Sequence, residues 1–171
     1  MPTPPEFQVE FSTALGKCTL WWIDEEREGL TRFRLPENAP DSGTLYLECP
    51  SWIARIIRRV RNHFEGRLDD FSGIPLDWPR VTPFQRGVYE RTQAVKPGHT
   101  TTYGEIARQL GLGPEGSRAV GVALGANPWP LIVPCHRVVA ANGKMTGFSA
   151  PGGISTKTRL LALEGAELPL G

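Results

Sequence analysis

Apolar and polar residues change period along this chain, and each change marks an element. The runs Phe7 to Leu15, Lys17 to Ile23 and Leu30 to Leu35 are strand-like, broken by Gly16 and by the acidic turn Asp24-Glu25-Glu26-Arg27-Glu28-Gly29. They predict a small antiparallel sheet. From Ser51 the spacing turns helical: Trp52, Ile53, Ile56, Ile57, Val60 and Phe64 share one face, with Ser51 as cap and Gly66 past the far end. That helix is expected to lie on the sheet. Its other face carries Arg55, Arg58, Arg59 and Arg61, which serve either as a phosphate-binding stripe or as a solvated surface.

Beyond the Pro- and Trp-containing stretch Gly73 to Pro79 the pattern is helical again. Thr82 precedes Gln85 by three residues and Thr102 precedes Glu105 by three, so two capping boxes each open a helix, the first strengthened by Pro83. The second of these, Tyr103 to Leu110, stops at Gly111. After the turn Gly111 to Gly116, Ser117 starts a third run that ends at Asn127-Pro128. The pair reads as a helix-turn-helix or as a plain helical hairpin, since the turn is longer than the usual ~3–4 residues. The third run, Arg118-Ala119-Val120-Gly121-Val122-Ala123-Leu124-Gly125-Ala126, has one long polar side chain and is unsuited to reading bases in a major groove. Its small residues fit a close approach to a narrow groove, or simply helix packing.

The chemistry is concentrated in Pro134-Cys135-His136-Arg137-Val138-Val139. Leu131 to Val133 and Val138 to Ala140 read as two short buried strands around a break at Pro134-Cys135, with Asn142-Gly143 as a turn. A thiolate is the attacking form of Cys, so neighbouring His and Arg point to a nucleophile; a buried, inert cysteine is the plain alternative. On the nucleophile reading, His136 and a helix N-terminus are expected to lower the Cys135 pKa.

Composition narrows the class. The 171 residues are two-fifths hydrophobic, without repeats, without an apolar run near the ~20 residues a membrane span needs, and without a leader-like opening. A cytoplasmic protein is expected, nuclear in a eukaryote. Three cysteines, Cys18, Cys49 and Cys135, suit a reducing compartment, and His63, His99 and His136 fall at no usual ligand spacing with them, so no metal site is expected. Residues 1–79 hold nine Lys and Arg against thirteen Asp and Glu, a net of −4, whereas residues 80–171 hold ten against five, a net of +5. The basic half suits a polyanion such as nucleic acid, or is a solvated basic surface.

Taken together, these motifs resemble those of the O6-alkylguanine-DNA alkyltransferases, the methylated-DNA-protein-cysteine methyltransferases. The resemblance rests on Pro134 to Val139, on Arg118-Ala119-Val120-Gly121, on Asn127-Pro128, on Tyr103 within Thr102 to Ala107, and on Leu160-Leu161-Ala162-Leu163-Glu164-Gly165. It spans residues 82 to 166; the first 80 residues match only in general plan. It implies an α+β chain with an RNase H-like sheet-and-helix domain over 1–79 and a mainly helical, winged-helix-like domain with a helix-turn-helix over 80–171.

The resemblance also implies roles. Cys135 is the alkyl acceptor, His136 the base acting through a water, Glu164 the carboxylate that orients the imidazole, and Asn127 the brace between the helix-turn-helix and the active-site strand. Tyr103, Arg118, Ala119, Arg137, Phe148 and Ser149 make up the DNA and substrate set, with Arg118 filling the gap left by a flipped base and Phe148 walling the pocket where many relatives have Tyr. Pro151 lengthens and stiffens that loop. The implied partner is double-stranded DNA carrying O6-alkylguanine, and also O4-alkylthymine, bound through the minor groove largely without regard to sequence. The protein is expected to act as a monomer, without cofactor, and once per molecule, because an S-alkyl thioether offers water no leaving group. Rival readings are a non-catalytic lesion binder, a Cys-His hydrolase and a sequence-specific regulator. Cys135 speaks against the first, the absent Cys-to-His spacing against the second, and the bare third helix against the last.

Overall fold

The computed structural model describes residues 4–24, 27–36, 48–143 and 153–166. Its N-terminal half is a three-stranded antiparallel sheet in the order β1 (Phe7–Thr13), β2 (Gly16–Ile23), β3 (Gly29–Arg34). Strand alternation sets the register: Val9 faces Leu20, Phe11 faces Cys18 and Leu20 faces Phe33, so one face of the sheet is apolar. β1 ends two residues before the predicted Leu15, because Thr13 Oγ1 donates to Gly16 O at 2.6 Å and closes the hairpin. On the outer face the Arg32 guanidinium lies 4.0 Å from the centre of the Trp21 ring.

Helix α1 (Ser51–Phe64) buries Trp52, Ile53, Ile56, Ile57, Val60, His63 and Phe64, and packs on the apolar face of the sheet. Each fully buried Ile or Val contributes about 1.5 to 3 kcal/mol. Pro50, not Ser51, occupies the cap position, and no side chain closes that helix end. Of the arginine stripe, Arg59 is paired with Asp69 and Arg61 donates to Ser12 O at 2.8 Å, while Arg55 and Arg58 are exposed.

In the C-terminal half, α2 (Pro83–Gln93) carries the full capping box: Gln85 N donates to Thr82 Oγ1 at 3.1 Å and Thr82 N to Gln85 Oε1 at 2.9 Å. Thr102 caps α3 (Tyr103–Gln109) in the same way through Glu105 N at 3.1 Å. The return bond does not form there, because the Glu105 carboxylate turns to Arg108. Helix α4 (Gly116–Gly125) packs against α3, and Gly116 permits it: a Cβ at that position would lie 3.1 Å from Ala107 Cβ of α3 and 2.6 Å from Leu112 Cβ in the turn. Tyr89 Oη of α2 donates to Ala123 O of α4 at 2.6 Å. Helices α3 and α4 are thus packed on each other across the turn that joins them.

Two short strands, β4 (Thr101–Thr102) and β5 (Val138–Val139), pair in parallel and bring the turn containing Cys135 beside the start of α3. Helix α5 (Gly153–Leu163) packs on that turn. The strand expected over Leu131 to Val133 is instead an irregular turn. Leu131 has a φ of 76°, Val133 N bonds back to Trp129 O at 2.8 Å, and Pro130 and Pro134 have no N–H to offer a ladder.

The halves share one buried apolar cluster that includes Leu20 and Ile53 from the first and Val120, Trp129 and Leu160 from the second. Trp129 Nε1 donates to Leu30 O at 2.8 Å and Phe33 N to Pro128 O at 2.9 Å, fastening the segment before Cys135 to β3. The fold is mixed α and β, with five α-helices and two small sheets among the described residues.

Candidate active site

Cys135 opens a single 3-10 turn, Cys135–Arg137, because Pro134 cannot continue a strand ladder and the chain must bend to enter β5. Cys135 N donates to Val133 O at 2.7 Å and Arg137 N to Pro134 O at 2.9 Å. Asn127 spans the approach to this turn. Its Nδ2 donates to Val133 O at 2.9 Å and its Oδ1 accepts Trp129 N at 2.9 Å, so the end of α4 is tied to the residues before the nucleophile.

Cys135 is 8% exposed. Burial pushes its thiol up to about 11, while the Asn127 side chain, the Lys157 ammonium and the backbone N–H groups of Cys135 and His136 pull the other way. The depression expected from the sequence is therefore reversed in the free protein. Desolvation of a thiolate in an apolar site outweighs the neighbouring dipoles and charge, and the imidazole of His136 is not among the groups that lower the value.

Behind the turn, Glu164, just past the last turn of α5, collects donors from three side chains. His136 Nε2 lies 2.8 Å from Oε1 and 3.2 Å from Oε2. Arg137 Nε donates to Oε1 at 2.9 Å and its Nη2 to Oε2 at 2.6 Å. His63 Nε2, from α1, lies 3.1 Å from Oε2. This web holds the Glu164 carboxyl well below the usual carboxylate range against the opposing cost of burial. Burial, the larger influence, lowers His136, and Glu164 only partly restores it, so the ring is neutral at physiological pH. With Nε2–H on the carboxylate, Nδ1 keeps its lone pair, and it is buried without a hydrogen-bond partner among the described residues.

The placement of Arg137 corrects the sequence reading. It was expected in the DNA-binding set, but it is 1% exposed and its guanidinium is occupied by Glu164 and by Val95 O at 2.8 Å. A cation sealed in a bidentate pair cannot meet phosphate.

Two further groups escaped the sequence reading. Lys157 is 1% exposed, donates from Nζ to Val138 O at 2.8 Å, and is the cation that acts on Cys135. His63 is the other. Both had a signal: a polar residue on an apolar helical stripe, His63 among Ile56, Val60 and Phe64, and Lys157 with Leu160, Leu161 and Glu164.

The remaining candidates lie on the open side. Arg118, Ala119, Val122 and Gly125 form the exposed face of α4, with Val122 70% exposed, and Ala126 just past the helix is exposed as well. Tyr103, at the first position of α3, is half-buried beside Gly121, and the Lys157 ammonium is 5.9 Å from its ring centre. Phe148 and Ser149 lie outside the described residues. Among the described residues no group of His, Cys, Asp and Glu is placed to hold a metal ion, and no helix is long and apolar enough to cross a membrane.

The family described as 6-O-methylguanine DNA methyltransferase, DNA binding domain, matches residues 83–166. The methylated-DNA–protein-cysteine methyltransferase of Mycolicibacterium paratuberculosis is 42% identical over 162 residues, covering 94% of this chain and 95% of the relative. This chain belongs to the methylated-DNA–protein-cysteine methyltransferase family. A DNA base-flipping protein of Thermus thermophilus is also similar, 37% identical over 148 residues, with 85% of this chain and 92% of that protein covered. The crystal structure of Mycobacterium tuberculosis OGT in complex with DNA superposes with a TM-score of 0.72 at 37% identity, covering 92% of each chain. The matched family segment contains Cys135, His136, Lys157 and Glu164; His63 lies outside it.

Proposed function

We propose that this protein repairs DNA by transferring the alkyl group of O6-alkylguanine, and of O4-alkylthymine, irreversibly to Cys135. The observation that carries the reading is the buried His136 whose Nε2 is committed to Glu164 while Nδ1 retains its lone pair one residue from a cysteine. A thiol held up to about 11 needs such a base. The thiol proton passes through a water to His136 Nδ1, and Glu164 stabilises the imidazolium that forms. The sulfur lone pair forms the S–C bond as the O6–C bond breaks, and that bonding pair leaves with the guanine, which takes up a proton. Water cannot displace a thioether sulfur, so each molecule acts once.

The alkyl carbon is unreachable for a thiolate while the base is stacked, so the nucleotide is flipped. Tyr103 lies against the phosphate and the extruded base, and Arg118 fills the gap, offsetting the few kcal/mol of unstacking. The smooth exposed face of α4, Ala119 included, enters the minor groove, with amide and phosphate contacts largely blind to sequence. Phe148 and Ser149 complete the pocket wall. The protein acts as a monomer in the cytoplasm, or in the nucleus of a eukaryote, without cofactor. The three-stranded sheet with α1 supports an RNase H-like domain over 1–79, and α3, α4 and the β4–β5 pair support a winged-helix-like domain over 80–171.

Intact-mass analysis with a duplex carrying one O6-methylguanine tests this. One methyl increment confined to the Cys135 peptide, ending at one equivalent, is expected. The similarity to a protein named for base flipping alone favours a second reading, lesion recognition without transfer. Tight lesion binding with no mass increment would select it.

A further inference from the structure

His63 reaches the active-site carboxylate from the opposite half of the chain. It sits in the last turn of α1, fully buried, with its ring 5.0 Å from that of Phe71 and 6.1 Å from that of Phe64. Its Nδ1 accepts the backbone N–H of Asp69 at 3.0 Å. An accepting Nδ1 carries no proton, so the neutral ring keeps its hydrogen on Nε2, the atom 3.1 Å from Glu164 Oε2. The Asp69 end is anchored in turn, because Arg59 grips its carboxylate through Nε and Nη2, each at 2.8 Å. Neither the position nor the tautomer of the ring is free to change.

The terminal torsion of a glutamate is soft, so its two oxygens exchange places easily unless both are held. Oε1 serves His136 and Arg137 Nε; Oε2 serves Arg137 Nη2 and His63, and already lies within 3.2 Å of His136 Nε2. Without His63, Arg137 Nη2 and the 3.2 Å approach of His136 Nε2 itself are what would remain on Oε2 among the described residues, and nothing would draw that oxygen away from His136. We propose that His63 is a positioning residue for alkyl transfer: by engaging Oε2 it keeps Oε1 on His136 Nε2 and so leaves the Nδ1 lone pair of His136 free to act as base. The proposal rests on the reading of Cys135 as acceptor and His136 as base.

The groups facing His136 are Glu164 beyond α5, Arg137 in its own turn and His63 on α1, while Lys157 of α5 acts on Cys135. Withdrawing the His63 N–H leaves more of the carboxylate charge directed at His136, which then binds a proton more readily. Loss of His63 donation therefore moves the acid limb of the rate profile to higher pH.

Two variants of the full chain separate this role from a merely structural one. His63→Gln keeps an N–H at the reach of Nε2; His63→Asn keeps an oxygen for Asp69 N but falls short of Glu164. With an O6-methylguanine duplex, the second-order transfer rate of His63→Gln should stay within about threefold of the unaltered protein, and that of His63→Asn should fall on the order of tenfold or more. The acid limb should move up in His63→Asn alone. Nitrogen-15 spectra of the histidine rings, taken without DNA, should show His136 solely as the Nε2–H tautomer in the unaltered protein and in His63→Gln, and as a mixture in His63→Asn. The proposal is overturned if His63→Asn matches the unaltered protein in rate, acid limb and tautomer, or if His63→Gln loses as much rate as His63→Asn. An unaltered protein that accepts no methyl group would instead overturn the reading of the site, while the tautomer spectra still decide the role of His63.

Discussion

Arg137 holds Glu164 by two parallel contacts, Nε to Oε1 at 2.9 Å and Nη2 to Oε2 at 2.6 Å, with both side chains almost fully sealed from solvent. The pair makes the carboxylate a fixed object against which His136 is oriented. The cost of desolvating two charges is offset only while both partners and their remaining hydrogen bonds are in place.

Glu164→Gln is accordingly expected to lower both stability and transfer. It strands a buried guanidinium, which costs about 3 to 5 kcal/mol, and removes the anion that selects the His136 tautomer, which should slow transfer by at least about a hundredfold. Urea unfolding and single-turnover kinetics check the two effects separately.

The same carboxylate makes the fold acid-sensitive. The folded value of Glu164 lies below its ordinary 4.5, so its stabilisation is fully present above 4.5 and is lost as pH falls through that value toward the lower folded one. Melting temperatures measured from pH 7 down to pH 3 should drop most steeply below about 4.5, and Glu164→Gln should flatten that part of the curve.

The Cys135 thiol should titrate high in the free protein. Its ultraviolet thiolate signal is expected to have a midpoint near 11, and iodoacetamide labelling should be slow at neutral pH and rise toward that value. A midpoint below the ordinary 9.0 would mean that the dipoles of the turn outweigh burial.

Lys157→Met removes the cation that, among the described residues, acts on Cys135, and takes the ammonium donor away from Val138 O. A rise of about one unit in the thiol pKa would cut the thiolate fraction roughly tenfold. Transfer at neutral pH should slow by about that factor and recover as pH is raised, while affinity for undamaged duplex changes little.

Val122→Glu places a carboxylate at the centre of the exposed face of α4. If α4 docks on DNA as proposed, affinity for any duplex, damaged or not, should fall roughly tenfold at low salt, because the added charge would face phosphates whatever the sequence. Fluorescence anisotropy with two unrelated duplexes checks it; loss confined to one would show base reading.

Local rules were enough to place most elements. The alternation of Val9 and Phe11 with polar neighbours, the helical stripe from Trp52 to Phe64 and the Thr82–Gln85 box are each written in neighbouring residues, and each formed within a residue or two of its predicted bounds. Where a rule failed, a competing bond was responsible. Glu105 gave up its capping role for Arg108, and Leu131 to Val133 gave up strand pairing for a turn closed on Trp129.

The active site divides in the same way. Cys135 beside His136 is legible in the sequence as a thiol next to a titratable ring, the family resemblance added Glu164 and Asn127, and in the structure His136 meets Glu164 while Asn127 bonds to Val133 O and Trp129 N. The stripes of α1 and α5 signal that His63 and Lys157 are buried, but the burial of Arg137, the approach of Lys157 to Cys135 and the meeting of His63 with a carboxylate 101 positions away were not legible. They depend on which faces of α1 and α5 meet around one carboxylate. The height of the Cys135 pKa belongs with them, since desolvation is set by everything packed around a sulfur atom and adjacent residues report little of it. The sequence by itself determined most of the elements, which follow from local pattern, and through its motifs brought forward Cys135, His136 and Glu164 for the roles proposed above. Only the tertiary structure decided which charges are buried, paired and aimed, because those depend on surfaces brought together from distant parts of the chain.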